Sequence, residues 1–325
     1  MKILVITLMF ISVSCSNRTE IRQPQTVTQE MIDSVFRQSR MIEIEKDLIY
    51  TQYTLTDSYP YKDTIRIFQW DKIRNRLGFL DSIQKLNASW AILQNYKNRN
   101  GRAPLVKKYR KNAYSHLTDT FGIERDQSVP LYIPGDTMAV ERYGRDGTLV
   151  RYIADDIRFI RVETIAFGGE WLVPRKYLKK ISDTICFDKT IFVDRTNQNI
   201  TTLSYEGSKW LVRSMNPATT GLHRPPYELE TPLGMFVLQD KAYKMFYYKD
   251  GGTEIGGYAP YANRFSNGGY IHGVPVNNLT AGFIEFSPTL GTTPRSHMCV
   301  RNVTSHAKFI YKWAPIDETL IFVFD

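Results

Sequence analysis

The chain is poor in the residues that build metal and redox centres. Its 325 residues include 3 Cys and 5 His, and no Cys-x-x-Cys or His-x-x-x-His pair occurs, so no metal site is expected. Gly251-Gly252 and Gly256-Gly257 lack the Lys-Ser/Thr ending of a phosphate-binding loop, which excludes a Walker-type nucleotide site. No cofactor is expected. Asp155-Asp156 is no glycosidase pair, because adjacent carboxylates on a strand point to opposite faces. Long apolar runs are also missing. The longest near the start, Ile3 to Val13, is too short to span a bilayer.

That run follows the basic Met1-Lys2 and precedes Ser14-Cys15-Ser16. This order reads as a secretory signal over residues 1–15 ending at a lipoprotein-type cysteine, Cys15, as the lipidation site. An ordinary secretory signal cleaved nearby is the alternative. Both place the mature protein outside the cytoplasm; the first makes it a periplasm-facing lipoprotein of the cell envelope. The net charge of +9 then suits acidic envelope polymers and lipid headgroups rather than nucleic acid.

Residues 16–29 are polar, contain Pro24 and read as a tether. Residues 30–125 read as a helical region. Met31 to Tyr50 has a helical pattern, and Ile73, Leu77, Leu80, Ile83, Leu86, Trp90 and Leu93 form a 3.6-period stripe over a helix from Asp71 to about Tyr96. Asp71 is its expected N-cap and Gly101 its stop. Residues 126–182 carry short strands separated by Asp146-Gly147 and Gly168-Gly169 turns, which predicts a small all-β barrel. Its ending resembles the bacterial Src-homology-three-like barrel. In residues 183–325 the runs Ile191–Val193, Ile200–Tyr205 and Lys209–Val212 predict strands, Thr304–Trp313 a helix and Thr319–Phe324 a closing strand. The fold class expected is multidomain α+β: helical region, small barrel, then a mostly-β catalytic domain.

The remaining cysteines differ in setting. Cys186 lies in the apolar run Ser182–Phe187 and reads as a small buried hydrophobe in a strand. A disulfide between Cys186 and Cys299 would silence the second thiol. Cys299 lies in Ser296-His-Met-Cys-Val-Arg-Asn302, with His272-Gly273 upstream. A thiol becomes a useful nucleophile when a base supplied by another segment takes its proton, so Cys299 and His272 form the candidate pair for acyl transfer.

His272-Gly273 and Ser296–Asn302, together with Thr220-Gly221 and Thr231-Pro-Leu-Gly-Met-Phe236, resemble the YkuD-type L,D-transpeptidases of bacterial cell walls, in the order that family shows, over roughly Ile185 to Asp325. The resemblance implies an acyl-thioester on Cys299 formed from a peptidoglycan stem peptide, release of D-Ala, and transfer to an amine. It makes His272 the base and the Gly273 carbonyl its tautomer clamp. His297 takes either a direct catalytic role or a structural one. The backbone amides of His297, Met298 and Cys299 are candidates for the oxyanion hole. Arg301 is the carboxylate grip, with Arg295, Ser296, Asn302 and Tyr270 as further substrate contacts. Tyr258, Tyr261 and Arg264 could wall the groove. Met298 stands where the family has Gly, and the segment from His272 to Ser296 is longer than the family's. Release of the thioester by water, as in an L,D-carboxypeptidase or amidase, and a wall-binding lipoprotein without activity are the alternatives.

Overall fold

A computed structural model describes residues 42–86 and 88–325. The expected signal, Cys15 and the tether lie outside them, as does most of the helix expected over Met31–Tyr50. The described residues open on strand β1 (Ile44–Lys46), which adds in parallel to a later strand, so the described end of that segment is extended rather than helical. A hairpin of β2 (Ser58–Tyr61) and β3 (Thr64–Ile67) leads into helix α1 (Trp70–Lys85). Asp71 sits in the first turn of α1 and Lys85 in the last, each favourable to the helix dipole. Asp71 is not the N-cap; Gln69 holds that place.

The expected helix ends early, at Lys85 rather than about Tyr96. Ile73, Leu77, Leu80 and Ile83 form its buried stripe, but Leu86 is already extended and Trp90 and Leu93 belong to strand β4 (Ser89–Leu93). Trp90-Ala-Ile-Leu93 is buried at every position. Such a run places apolar residues three apart without being helical. Among the described residues α1 is the one α-helix before residue 304, so an N-terminal helical region is not formed.

The upstream half is instead built on strands. β5 (Arg110–Lys111) pairs with β6 (Leu117–Thr118), and β7 (Ser128–Leu131) with β8 (Arg142–Arg145). β9 (Leu149–Asp155), β10 (Phe159–Thr164), β11 (Glu170–Pro174) and β12 (Leu178–Lys180) follow. They form an antiparallel sheet in the order β11-β10-β9-β4-β12. The sheet therefore draws β4 from the stretch expected to be helical. Ser182–Phe187 is turn and irregular chain with Cys186 half-buried, not a strand. Cys299 is a free thiol, so it forms no disulfide with Cys186.

The C-terminal half carries β13 (Lys189–Asp194), β14 (Asn199–Glu206), β15 (Lys209–Thr219), β16 (Gly234–Val237), β17 (Asp240–Tyr248), β18 (Ile255–Ser266), β19 (Gly269–His272), β20 (Val300–Asn302), helix α2 (Thr304–Trp313) and β21 (Thr319–Phe324). One mixed sheet runs β16-β21-β13-β14-β15-β20-β19-β18-β17, with β1 added to β15. β13–β21 and β19–β20 are its parallel pairs beside β1–β15; the rest are antiparallel. Helix α2 spans the residues expected and buries Ile310, with Ala314 just after its end, against this sheet. A second core joins Ile73, Leu77 and Leu80 of α1 to Trp90 of β4 and to Phe192, Trp210 and Phe322 of the large sheet. The two halves thus share one hydrophobic cluster.

Candidate active site

The site lies where β19 and β20 run side by side. Ile271 pairs with Val300 and His272 with Arg301. Side chains alternate along a strand. Tyr270, His272 and Arg301, with Cys299 directly before β20, therefore fall on one face. Ile271 and Val300 fall on the other and enter the core between sheet and α2.

His272 is buried, and its Nδ1 lies 2.6 Å from the Gly273 carbonyl. A carbonyl only accepts, so Nδ1 carries the proton and Nε2 is left as the base. Gly273 is required by space: a Cβ there would meet the Thr304 hydroxyl at 2.6 Å and Pro260 at 2.9 Å. Burial pushes the His272 pKa down to about 4, and the Arg301 guanidinium opposes its protonation further. Cys299 is buried, and its thiol donates to the Gly268 carbonyl at 3.4 Å. Burial pushes its pKa up to about 11, against the Tyr270 amide and Arg301, which favour the thiolate. The resting pair is therefore neutral thiol and neutral imidazole.

The Cys299 segment hangs on the two threonine motifs. Thr231 Oγ1 accepts the Gly221 N–H at 2.8 Å and donates to the Cys299 carbonyl at 3.3 Å. The Ser296 hydroxyl donates to the same carbonyl. Gln198 brackets Thr220, taking its N–H at 2.9 Å and donating to its hydroxyl at 2.7 Å. Gly221 has no room for a side chain, since a Cβ would lie 2.3 Å from the Leu229 carbonyl. Both hydroxyls are buried and act as scaffold, a role their motif alone does not disclose.

Met298 adopts φ +72°. A residue with a Cβ is strained there by about 1–2 kcal/mol. Its N–H donates to the Leu229 carbonyl at 2.7 Å, so in this state it is engaged within the loop and not open to a substrate oxygen.

The other sequence candidates separate into groups. Arg301 is half-buried on the site face, its side chain with no hydrogen bond or ion pair among the described residues. Desolvation lowers its pKa, partly offset by Cys299, Tyr247 and Glu228. Tyr270 is buried beside Cys299, and its hydroxyl meets that of Tyr96 at 2.8 Å. Arg295 is exposed, anchored by its backbone to Thr220. His297 is exposed, and its Nε2 lies 3.0 Å from Asp250 on the β17–β18 turn, at the rim. Ser296 is 1% exposed and points to the Cys299 carbonyl, so it positions the loop. Asn302 is fully buried on the opposite face, with Oδ1 3.1 Å from His306 Nδ1. Strand alternation takes it out of reach of a substrate, which corrects its expected role. Tyr258 and Tyr261 are buried and pack on Phe283 from the long segment after His272, so they support that segment from beneath. Arg264 is also buried, and its Nη1 donates to Asp146 at 2.7 Å. Tyr96 and Asp146 come from the upstream half and carry no sequence signal for the site.

Residues 188–323 match the YkuD family, the L,D-transpeptidase catalytic domain, and this part of the chain is a domain of that type. No curated protein matches the chain. Among solved structures, an L,D-transpeptidase from Mycobacterium smegmatis is 14% identical over 56% of this chain and 93% of its own, with a TM-score of 0.34. L,D-transpeptidase 3 from Mycobacterium tuberculosis with a faropenem-derived adduct is 16% identical over 56% and 93%, with a TM-score of 0.35. A fused Zn-dependent amidase/peptidase/peptidoglycan-binding protein from Clostridium acetobutylicum is 21% identical over 42% of this chain, with a TM-score of 0.31; this chain spans 52% of that protein's length.

Proposed function

We propose that the chain is a cysteine-dependent L,D-transpeptidase acting on peptidoglycan stem peptides, held at the cell envelope by a lipid on Cys15. The observation that carries this reading is one sheet face presenting a buried thiol, a neutral imidazole with its tautomer fixed by Gly273, and a guanidinium with no hydrogen-bond or ion-pair partner among the described residues.

With His272 near 4 and Cys299 near 11, a preformed thiolate–imidazolium pair is disfavoured. The thiol proton passes to His272 Nε2 as the sulfur attacks the stem-peptide carbonyl. The C–N bond to the terminal D-Ala then breaks, and His272 returns the proton to the leaving amine. The amine of a second stem next attacks the thioester, and the thiol is regenerated. Arg301 suits the free carboxylate of the donor stem, which a guanidinium grips through two hydrogen bonds. The His297 and Cys299 amides remain the candidates for the oxyanion.

The test is turnover of disaccharide-tetrapeptide by the wild type and by Cys299→Ala, read by mass spectrometry. A cross-linked dimer lacking one D-Ala, absent with Cys299→Ala, is the expected result. Trimmed tripeptide alone would assign the L,D-carboxypeptidase reaction instead, and no product from either protein would favour a wall-binding role.

A further inference from the structure

We infer that Asp146 and Tyr96, both from the upstream half, are positioning residues for Cys299, so that the nucleophile is set by parts of the chain outside the domain that carries it. The inference rests on the reading of Cys299 as the nucleophile.

The thiol is held by one short segment. Its acceptor is the Gly268 carbonyl, and the Tyr270 backbone amide favours its thiolate. Both belong to the turn between β18 and β19 or to the start of β19. Asp146 is wholly buried and fastens that turn. Its Oδ2 accepts the Asn267 N–H at 3.0 Å, Arg264 Nη1 at 2.7 Å and Gln239 Nε2 at 2.9 Å. Its Oδ1 accepts the Asn95 N–H at 2.8 Å. One carboxylate thus ties the turn under the thiol to the residue before Tyr96. The neighbouring Gly147 shows how closely this junction fits. It adopts φ +88°, and a Cβ would lie 1.9 Å from the Phe265 carbonyl.

Tyr96 completes the link from the other side. Its ring lies under the Arg264 guanidinium, 4.3 Å from the ring centre, and its hydroxyl meets Tyr270. The loop delivering it is stiff: Asn95 donates to the Gly101 and Ser128 carbonyls, and Lys97 and Asn98 both have positive φ. The ionisable groups around the thiol are therefore Tyr270, Tyr96, Arg264, Arg301 and His272. Four donors on one buried carboxylate would also serve stability alone, so the test must read the thiol itself.

The experiment compares the full chain with Asp146→Asn and Tyr96→Phe. The rate of iodoacetamide alkylation at Cys299, followed by peptide mapping across pH, is measured beside melting temperature and kcat and KM on tetrapeptide. Loosening the turn admits water and, in Asp146→Asn, leaves the Arg264 charge uncompensated; both favour the thiolate. The expected result is an alkylation midpoint lowered by about half a unit or more. With it, kcat falls roughly tenfold while KM stays near wild type, as a misplaced nucleophile requires. Unchanged Cys299 profiles in both variants overturn the inference, even where melting temperature or turnover falls. Should Asp146→Asn not fold, Tyr96→Phe, which removes one oxygen from a half-exposed ring, decides alone. A wild type that alkylates at Cys299 without turning over tetrapeptide refutes the proposed function and leaves the profiles to judge the positioning role.

Discussion

Replacing Thr231 by Val should destabilise the protein through hydrogen bonds alone. The side chain is fully buried, and Val has nearly its volume, so packing changes little. The lost hydroxyl leaves the Gly221 N–H, now satisfied at 2.8 Å, with no acceptor. A buried donor abandoned in this way costs about 1–3 kcal/mol. The Cys299 carbonyl loses one of two donors but keeps the Ser296 hydroxyl, which adds about 0.5–1 kcal/mol. The sum is about 1.5–4 kcal/mol. Thr231→Ser keeps both bonds and loses one methyl, at about 0.8 kcal/mol. Urea unfolding of the three proteins gives the comparison, with Val expected to be the weaker by about 0.7–3 kcal/mol relative to Ser. Turnover should fall in the same order, because the peptide plane released is the one that carries the nucleophile. Thr231→Val within about 0.5 kcal/mol of wild type, or Thr231→Ser the worse of the two, would refute the scaffold role.

Three further outcomes follow from the site. Burial holds His272 near pH 4 and His306 near pH 3, below the ordinary 6.5. The unfolded chain therefore binds more protons below that value, and stability, complete above about pH 6.5, should fall toward pH 4 by up to about 1.4 kcal/mol per unit for each histidine; melting temperatures that stay flat from pH 7.5 to 4.5 would contradict this. At Met298, with φ +72°, Met298→Gly should stay within about 1 kcal/mol of wild type, since relief of strain offsets the flexibility of Gly, while the β-branched Met298→Val should lose more than about 1 kcal/mol by the same unfolding assay. Arg301→Lys should raise KM for tetrapeptide roughly tenfold with a smaller change in kcat, because a point charge replaces a two-pronged grip; an unchanged KM would remove Arg301 from the donor pocket.

The sequence is most legible where neighbouring residues act together. Cys299 and His272 are visible as a candidate pair, a thiol and a base from another segment, while the place of Gly273 beside them comes from the family resemblance. Strands β13 to β15 and helix α2 are visible because their periods and turns are local. Asn302 was misplaced for want of one local rule: it differs by one residue from Arg301, and alternation along β20 turns it to His306. The failure at β4 has another cause. Trp90 and Leu93 continue the spacing of the α1 stripe, and only pairing with β9 and β12, far along the chain, makes that segment a strand. Asp146 is harder still, because Asp146-Gly147 reads in full as a turn. Its four donors come from Asn95, Gln239, Arg264 and Asn267, and no spacing relates them. The same contacts bear on where the catalytic part begins. A cut at 182/183 would pass through the cluster in which Ile73 and Leu77 meet Phe187 and Phe192, and would strip the carboxylate from Arg264, which is 6% exposed. A buried guanidinium deprived of its partner is strongly destabilising. The family match over 188–323 therefore marks only part of a folded unit whose shared core reaches back at least to α1.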